Sequence, residues 1–92
     1  LAVLQFTKLT RLSLRRALLF EVPAGIGELK VLAHLDLGLN LLPTLPAELS
    51  DCQGLLLRSG VLLVDGNPLH TPPKEIVSRG TAAVMAYLKV CI

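Results

Sequence analysis

The sequence predicts an α/β repeat fold, in which short parallel strands alternate with short helical or irregular segments. The first observation is a frame of leucines with one asparagine, which begins at Leu32 and ends at Leu49. The second is that this frame recurs upstream, beginning at Leu9, and downstream, beginning at Ser59. The third is a composition of 52% hydrophobic but only 3% aromatic residues, which is typical of a core packed by leucine. The frame positions are Leu32, Leu35, Leu37, Asn40, Leu42, Leu45, Pro46 and Leu49; Leu9, Leu12, Leu14, Ala17, Leu19, Val22, Pro23 and Ile26; and Ser59, Leu62, Val64, Asn67, Leu69, Pro72, Pro73 and Ile76.

A strand is predicted at the centre of each copy. Leu35 and Leu37 alternate with less apolar residues, which is the period of a strand that buries one face. We therefore expect parallel strands near residues 12–14, 35–37 and 62–64. Stacking of neighbouring copies is required, because no single copy can bury its leucines alone.

The residues after the strand predict a turn and an outer segment. The side chain of Asn40 both donates and accepts, so we expect its amide to bond backbone groups of this turn or of a neighbouring copy. Leu42 and Leu45 should then point inward, and Pro46 ends regular pairing. Residues 47–52 are expected to form a short helical turn on the outer side.

The first copy, at residues 9–31, carries Ala17 in place of the asparagine. One interpretation is a specialised edge; the other, which we favour, is a solvated turn or a shift of the local register. Residues 1–8 continue the frame as the end of a preceding repeat. We expect upstream repeats or another chain to cover this end, because a stack of repeats needs a capping end.

The second copy spans residues 32–58. The third copy begins four residues later than the spacing of the first two copies predicts. The insertion predicts either a longer outer helix or a bulging loop. The last copy spans residues 59–80 and ends in a short helix that begins at Pro72 or Pro73. Thr81 is expected to cap a final helix over about residues 82–91. Together they form the last segment of the chain, residues 81–92. Its apolar stripe is Val84, Met85, Leu88 and Cys91.

The motifs resemble a known family. Residues 32–42 match the pattern L-x-x-L-x-L-x-x-N-x-L of leucine-rich repeats. The segment GNPLHTPPKEIVSRGTAAVMAYLK, at residues 66–89, is similar to the C-terminal end of intracellular Ras-associated-class leucine-rich repeat scaffold proteins. The resemblance implies a solenoid with strands on its concave face, short helical or irregular segments on its convex face, a ladder of stacked asparagines and a C-terminal capping helix.

The same resemblance implies a non-catalytic protein–protein interaction module, a scaffold in signal transduction. Two alternatives are a regulatory leucine-rich repeat segment of a larger signalling enzyme and a structural subunit of a large intracellular assembly. If the strands stack in parallel, their outward residues align in three rows, formed by Arg11, His34 and Val61, by Ser13, Asp36 and Leu63, and by Arg15, Gly38 and Asp65. We expect these rows to form a surface that binds one or more proteins, with Leu63 as its anchor and Arg15 as the residue that steers a charged partner. The alternative is a solvated face that carries an Arg15–Asp36 pair. The candidate residues are Arg11, Arg15, His34, Asp36, Val61, Leu63 and Asp65.

Other kinds of site have little support in the sequence. His34 and His70 lie beside no convincing nucleophile, the carboxylates show no paired spacing, and the cysteines and histidines are too scattered for a zinc pattern. We therefore expect no catalytic residue, no metal and no cofactor. Four cations cluster near the first strand, but aromatic residues are nearly absent, so nucleic-acid binding is not expected.

Charge, hydropathy and cysteine usage bound the setting. The net charge of +2 does not demand an anionic partner, and no apolar run approaches the roughly 20 residues that span a bilayer. Extracellular leucine-rich repeats usually carry flanking cysteine clusters, whereas this chain has only Cys52 and Cys91, which are expected to be small buried hydrophobes. We therefore expect a cytoplasmic protein.

Overall fold

The chain folds as a small α/β structure around one parallel sheet. The computed structural model describes residues 2–90. The strands are β1 (Arg11–Ser13), β2 (His34–Asp36) and β3 (Val61–Leu63), and they lie in the order β1-β2-β3. The α-helices are α1 (Lys74–Val77) and α2 (Thr81–Val90), and short 3-10 helices cover Ala2–Gln5, Ala24–Glu28, Ala47–Asp51 and Gln53–Leu56.

The strand register reproduces the sequence frame. Leu12 pairs with Leu35, and Leu35 pairs with Leu62, all in parallel. The predicted parallel sheet is therefore confirmed, although each strand begins one residue earlier than expected. The ladder also continues past the strand ends, since the amide of Leu14 donates to the carbonyl oxygen of Asp36 at 2.8 Å. A short second contact lies beyond the turns, where Thr44 bridges to Thr71.

The core is built from the inward positions of the frame. Leu35 and Leu37 have 0% exposure, as expected for positions flanked by a copy on each side. The outer segments add further buried residues to the same core. The buried apolar residues are Val22, Ile26, Leu29, Leu32, Leu35, Leu37, Leu42, Leu45, Leu49, Cys52, Leu55, Leu62, Val64, Val84, Met85 and Leu88.

Asn40 organises the turn after β2, as the sequence predicts. Its Oδ1 accepts hydrogen bonds from the amides of Ala17 and Leu19 at 2.9 and 3.1 Å. Its Nδ2 donates to the carbonyl oxygens of Leu14 and Leu37 at 3.0 and 2.8 Å. A single buried side chain thus satisfies backbone groups of two consecutive copies, which removes the penalty for burying them unpaired.

Asn67 has the same role in the next copy. Its Oδ1 accepts from the amide of Leu42 at 3.1 Å, and its Nδ2 donates to the carbonyl oxygens of Leu37 and Val64 at 2.9 and 3.0 Å. The asparagines of the second and third copies therefore act on their own turn and on the turn before it, as a ladder of stacked asparagines would.

The backbone of the turns also repeats from copy to copy. Arg16, Leu39 and Gly66 occupy equivalent frame positions and have φ values of 59°, 54° and 72°. Two of these residues are not glycine, so the turn holds them in a conformation that side chains disfavour.

The leucines of the first copy are less buried than those of the second. Leu12 and Leu14 are half-buried, and Ala17 is exposed. The turn at Ala17 is nevertheless satisfied, since its amide donates to Asn40 Oδ1 of the next copy. The side chain of Ala17 is thus exposed, as in a solvated turn, but the backbone of the turn is bonded to Asn40, and the register of β1 against β2 is not shifted.

The insertion and the closing helices occupy the other end of the chain. In this copy the outer segment continues past Ala47–Asp51 into a second 3-10 helix, Gln53–Leu56, and the chain then turns and returns to β3. The sequence places Thr81 ahead of α2 as its cap, but the structure makes it the first helical residue. Its hydroxyl accepts a hydrogen bond from the amide of Leu62 at 2.9 Å, so it joins α2 to β3 instead. Cys91 lies outside the described residues.

Candidate interaction surface

The outward side chains of the three strands form one surface, which we call the open strand face. Strand pairing aligns Arg11 with His34 and Val61, and it aligns Ser13 with Asp36 and Leu63. These two rows are those that the sequence predicts. The third row, formed by Arg15, Gly38 and Asp65, follows directly after the strand ends. The structure thus brings all seven predicted residues to one side of the sheet.

Arg15 forms a clamp across all three copies. Its Nη1 donates to Asp36 Oδ1 at 3.0 Å and to Asp65 Oδ1 at 3.1 Å. Its Nη2 donates to Asp65 Oδ2 at 2.6 Å, so the contact with Asp65 is bidentate. We call this set of three residues the arginine clamp. A planar guanidinium is suited to this geometry, because its donors lie in a fixed fork.

Gly38 makes the clamp possible. A Cβ at this position would collide with Arg15 Nη1 and would lie 2.8 Å from Arg15 Cζ and 2.9 Å from Asp65 Oδ1. The guanidinium therefore crosses the sheet over the one residue of this row that has no side chain. The amide of Gly38 also donates to Asp36 Oδ1 at 2.9 Å, which orients that carboxylate toward Arg15.

The clamp changes the electrostatics of the face. The hydrogen bonds from Arg15 lower the pKa of Asp65, and the two carboxylates raise the pKa of Arg15 above its already high ordinary value. The sequence predicts Arg15 as the residue that steers a charged partner, but its charge is compensated by two carboxylates. Arg11, which is exposed and forms no ion pair with any of residues 2–90, is the better steering cation.

Apolar surface lies next to the clamp on β3. Leu63 is 38% exposed and aligns with Asp36, while Val61 is half-buried and aligns with His34. An accessible leucine beside fixed charges is an arrangement that can bury an apolar anchor and set the orientation of a partner at the same time.

The sequence predicts the Arg15–Asp36 pair as one alternative, but not the contact of Arg15 with Asp65 and not two further features of the surface. The clamp could have been found from the third row, in which a glycine separates an arginine from an aspartate. The second feature is a pair of exposed apolar residues. Leu18 and Phe20, which flank the frame position Leu19, are 72% and 73% exposed. A groove beside the insertion had no signal beyond the insertion itself.

The candidate reactive groups are dispersed. His34 belongs to β2, and His70 Nδ1 lies 3.4 Å from the hydroxyl of Thr71. Burial raises the pKa of the Cys52 thiol to about 11, and its Sγ donates to the carbonyl oxygen of Ile26 at 3.2 Å. Within residues 2–90, no group of three or more histidine, cysteine or acidic side chains is placed to hold a metal ion.

No protein-family model matches the chain. Over the part that the structure describes, none of the helices has the length and apolar character needed to cross a membrane.

Proposed function

We propose that this chain is a non-catalytic protein-interaction module of the leucine-rich repeat type, which binds a protein partner on its open strand face. The observation that carries the proposal is the alignment of outward residues on three parallel strands, with the arginine clamp beside an accessible Leu63. The sequence motifs support the repeat assignment, and a solenoid would present this face as its concave surface.

The face is organised before any partner arrives. Strand pairing fixes its rows, and the clamp holds three side chains that would otherwise move independently. A surface that is already ordered loses less conformational entropy on binding, so more of the contact energy contributes to affinity.

Leu63 is the proposed anchor of the interface. Interfaces draw most of their energy from a few desolvated residues, and an accessible leucine within a polar frame has that role here. Arg11 and His34 add polar contacts in the neighbouring row. We place the module in the cytoplasm, since Cys52 is a buried free thiol, as in proteins kept in a reducing compartment.

The test uses one charge placed at two exposed apolar sites. Binding partners of the chain are first collected from cell extract, and the most abundant one is purified and titrated by calorimetry. Leu63→Asp should abolish binding, because it buries an unpaired charge in the contact. Val31→Asp makes the same change at an exposed position outside the open strand face and should bind as the parent does.

The opposite pattern would contradict the proposal. Normal binding by Leu63→Asp, with a circular dichroism spectrum like that of the parent, would show that the partner uses another surface. A structural subunit of a larger assembly is the second candidate, and the exposed Leu18 and Phe20 favour it. Loss of co-elution with large complexes on Phe20→Ser, but not on Leu63→Asp, would support that alternative.

A further inference from the structure

A second surface lies between the insertion and the last helix. The 3-10 helix Gln53–Leu56 packs beside α2, and a groove of about 750 Å³ runs between them. It is separate from the residues of the open strand face, none of which lines it. We call this feature the insertion groove.

Three of the four extra residues of the chain, Leu56, Leu57 and Arg58, form part of one wall of the groove. In the sequence frame, Ser59 is the equivalent of Leu32. In the structure, however, Leu55 takes the buried position: it is 1% exposed, and Leu32 is 0% exposed. The chain rejoins the register of β2 at Gly60, directly before Val61 pairs with His34. The insertion is therefore residues 56–59.

The insertion places two leucines on the surface. Leu56 and Leu57 are 45% and 61% exposed, and both line the groove. The leucines at the inward positions of the frame pack in the core, whereas these two are exposed to solvent. Their exposure marks this wall as an apolar surface that a ligand could cover.

The insertion is fixed at its end rather than loosely attached. The amide of Gly60 donates to the carbonyl oxygen of Leu57 at 2.8 Å, and the amide of Val61 donates to that of Ala33 at 2.9 Å. A Cβ at Gly60 would collide with the carbonyl oxygen of Leu55, so the close return of the chain requires glycine. These hydrogen bonds therefore fix the end of the backbone segment that carries the exposed leucines.

The other wall is the outer side of α2. Ala82 and Ala86 line the groove one helical turn apart, with the buried Met85 between them. Small side chains on this wall leave room for the side chains of a ligand. The helix has ten residues and is about 15 Å long, which matches two to three turns of a second helix.

The charges that line the groove are of one sign. Arg58 and Lys89 both line it and both are exposed, and no acidic residue is among the groove residues. Neither cation forms an ion pair with any residue from 2 to 90. Two unpaired cations at the rim of an apolar groove are complementary to a ligand with carboxylates beside apolar side chains.

We propose that the insertion groove binds an acidic amphipathic helical segment of a partner protein. Leucine-type side chains of that segment pack between the insertion and α2, and its carboxylates contact Arg58 and Lys89. This is a helix-in-groove mode of recognition. It is independent of the open strand face, so one chain can hold two partners or two segments of the same partner.

The test uses a labelled synthetic peptide of about 14 residues, which makes about four helical turns. It carries a leucine stripe flanked by glutamates, and a twin carries lysines in place of the glutamates. Binding to the 92-residue chain is measured by fluorescence anisotropy. We expect the acidic peptide to bind and the lysine twin to bind at least about tenfold more weakly.

Charge reversal then locates the site. The double variant Arg58→Glu, Lys89→Glu should lose affinity for the acidic peptide by about tenfold or more and gain affinity for the lysine twin. The matched control Lys30→Glu, Arg79→Glu reverses two exposed cations outside the groove and should bind as the parent does.

Two further variants separate the apolar contribution and the two surfaces. Leu57→Ser should weaken binding at low and high salt alike, because it removes apolar contact rather than charge. Leu63→Asp should leave peptide binding unchanged, which separates this proposal from the one for the open strand face.

Several results would overturn the proposal. The first is that the acidic peptide does not bind. The second is that the matched control loses as much affinity for the peptide as the groove variant does. The third is that anionic vesicles or single-stranded RNA bind the chain more strongly than the peptide does. Sedimentation that shows a dimer broken by Leu57→Ser would assign the groove to a second copy of the chain and would also overturn it.

Discussion

The first and central copies of the frame carry leucine at the same positions but bury it to different extents. Leu35 and Leu37 have 0% exposure, whereas their equivalents Leu12 and Leu14 are half-buried. The residue types are identical, so the difference comes from the neighbours, since the central copy has one on each side. Burial in this fold is therefore a property of position in the stack, as expected for a fold built of nearest-neighbour contacts.

The turns show the same dependence. Asn40 satisfies its own turn and also bonds the backbone of Leu14, Ala17 and Leu19 in the first copy. Ala17 supplies no side-chain partner in return. The first copy thus relies on the central one for its polar groups as well as for its apolar contacts.

Removing the side chain of a fully buried leucine should have the largest effect. Leu37→Ala should lower the free energy of unfolding by about 2–5 kcal/mol, because it leaves a cavity in a fully buried site. Leu14→Ala makes the same change in a half-buried site and should have a clearly smaller effect. Urea denaturation followed by circular dichroism measures both.

Equal losses for Leu37→Ala and Leu14→Ala would show that flanking copies do not decide how much each leucine stabilises the fold. A loss below about 1 kcal/mol for Leu37→Ala would contradict its placement in the core.

The next effect concerns the turn. Asn40→Ala should destabilise the chain by about 1–3 kcal/mol, because it leaves buried backbone groups without partners. Asn67→Ala is the matched change in the next copy and should have a smaller effect, since Asn67 is less buried and accepts from one amide rather than two. Thermal unfolding of the two variants compares them, and a larger effect at Asn67 would count against the central role of Asn40.

Much of this fold follows from the sequence because its period is strong. The recurrence of the frame from Leu9 to Leu32 predicts the parallel strands and their register, and the alternation at Leu35 and Leu37 predicts which side is buried. The predicted strand bounds differ from the observed ones by one residue, since a periodic pattern does not mark where hydrogen bonding begins. Asn40 was predictable because its amide suits the turn chemistry at that position.

The surface features were less predictable because they depend on contacts between copies. Arg15 meets Asp65 across 50 positions of sequence, and only the register and the absence of a side chain at Gly38 bring them together. The insertion groove needs the relative placement of the insertion and α2, which no local pattern specifies. The role of Thr81 also differs from the prediction, because its hydroxyl bonds a backbone amide of β3.

The smallest effect concerns the arginine clamp and is pH-dependent. Arg15 lowers the pKa of Asp65 in the folded chain, so the ionised carboxylate stabilises the fold above its unfolded pKa of about 4. This contribution should be lost as the pH falls below about 4 and through the lowered folded pKa. The difference in urea midpoint between the parent and Asp65→Asn should therefore be largest near neutral pH and should shrink in acid and in high salt.

Glu75→Gln is the control, because it removes an exposed carboxylate on α1 that has no partner in the clamp. A pH dependence that Asp65→Asn shows and Glu75→Gln lacks is assigned to the clamp. A constant difference for Asp65→Asn from neutral pH to about pH 3 would contradict the clamp.

Amide hydrogen exchange, read residue by residue by NMR, tests most directly whether flanking copies decide stability. The amides of Leu14 and Leu37 occupy equivalent frame positions, and each donates a 2.8 Å hydrogen bond to the next copy. Because the bonds match, exchange reports the surroundings of each amide rather than the bond itself. We expect Leu37 to exchange at least about tenfold more slowly than Leu14. Equal rates, or slower exchange at Leu14, would contradict it.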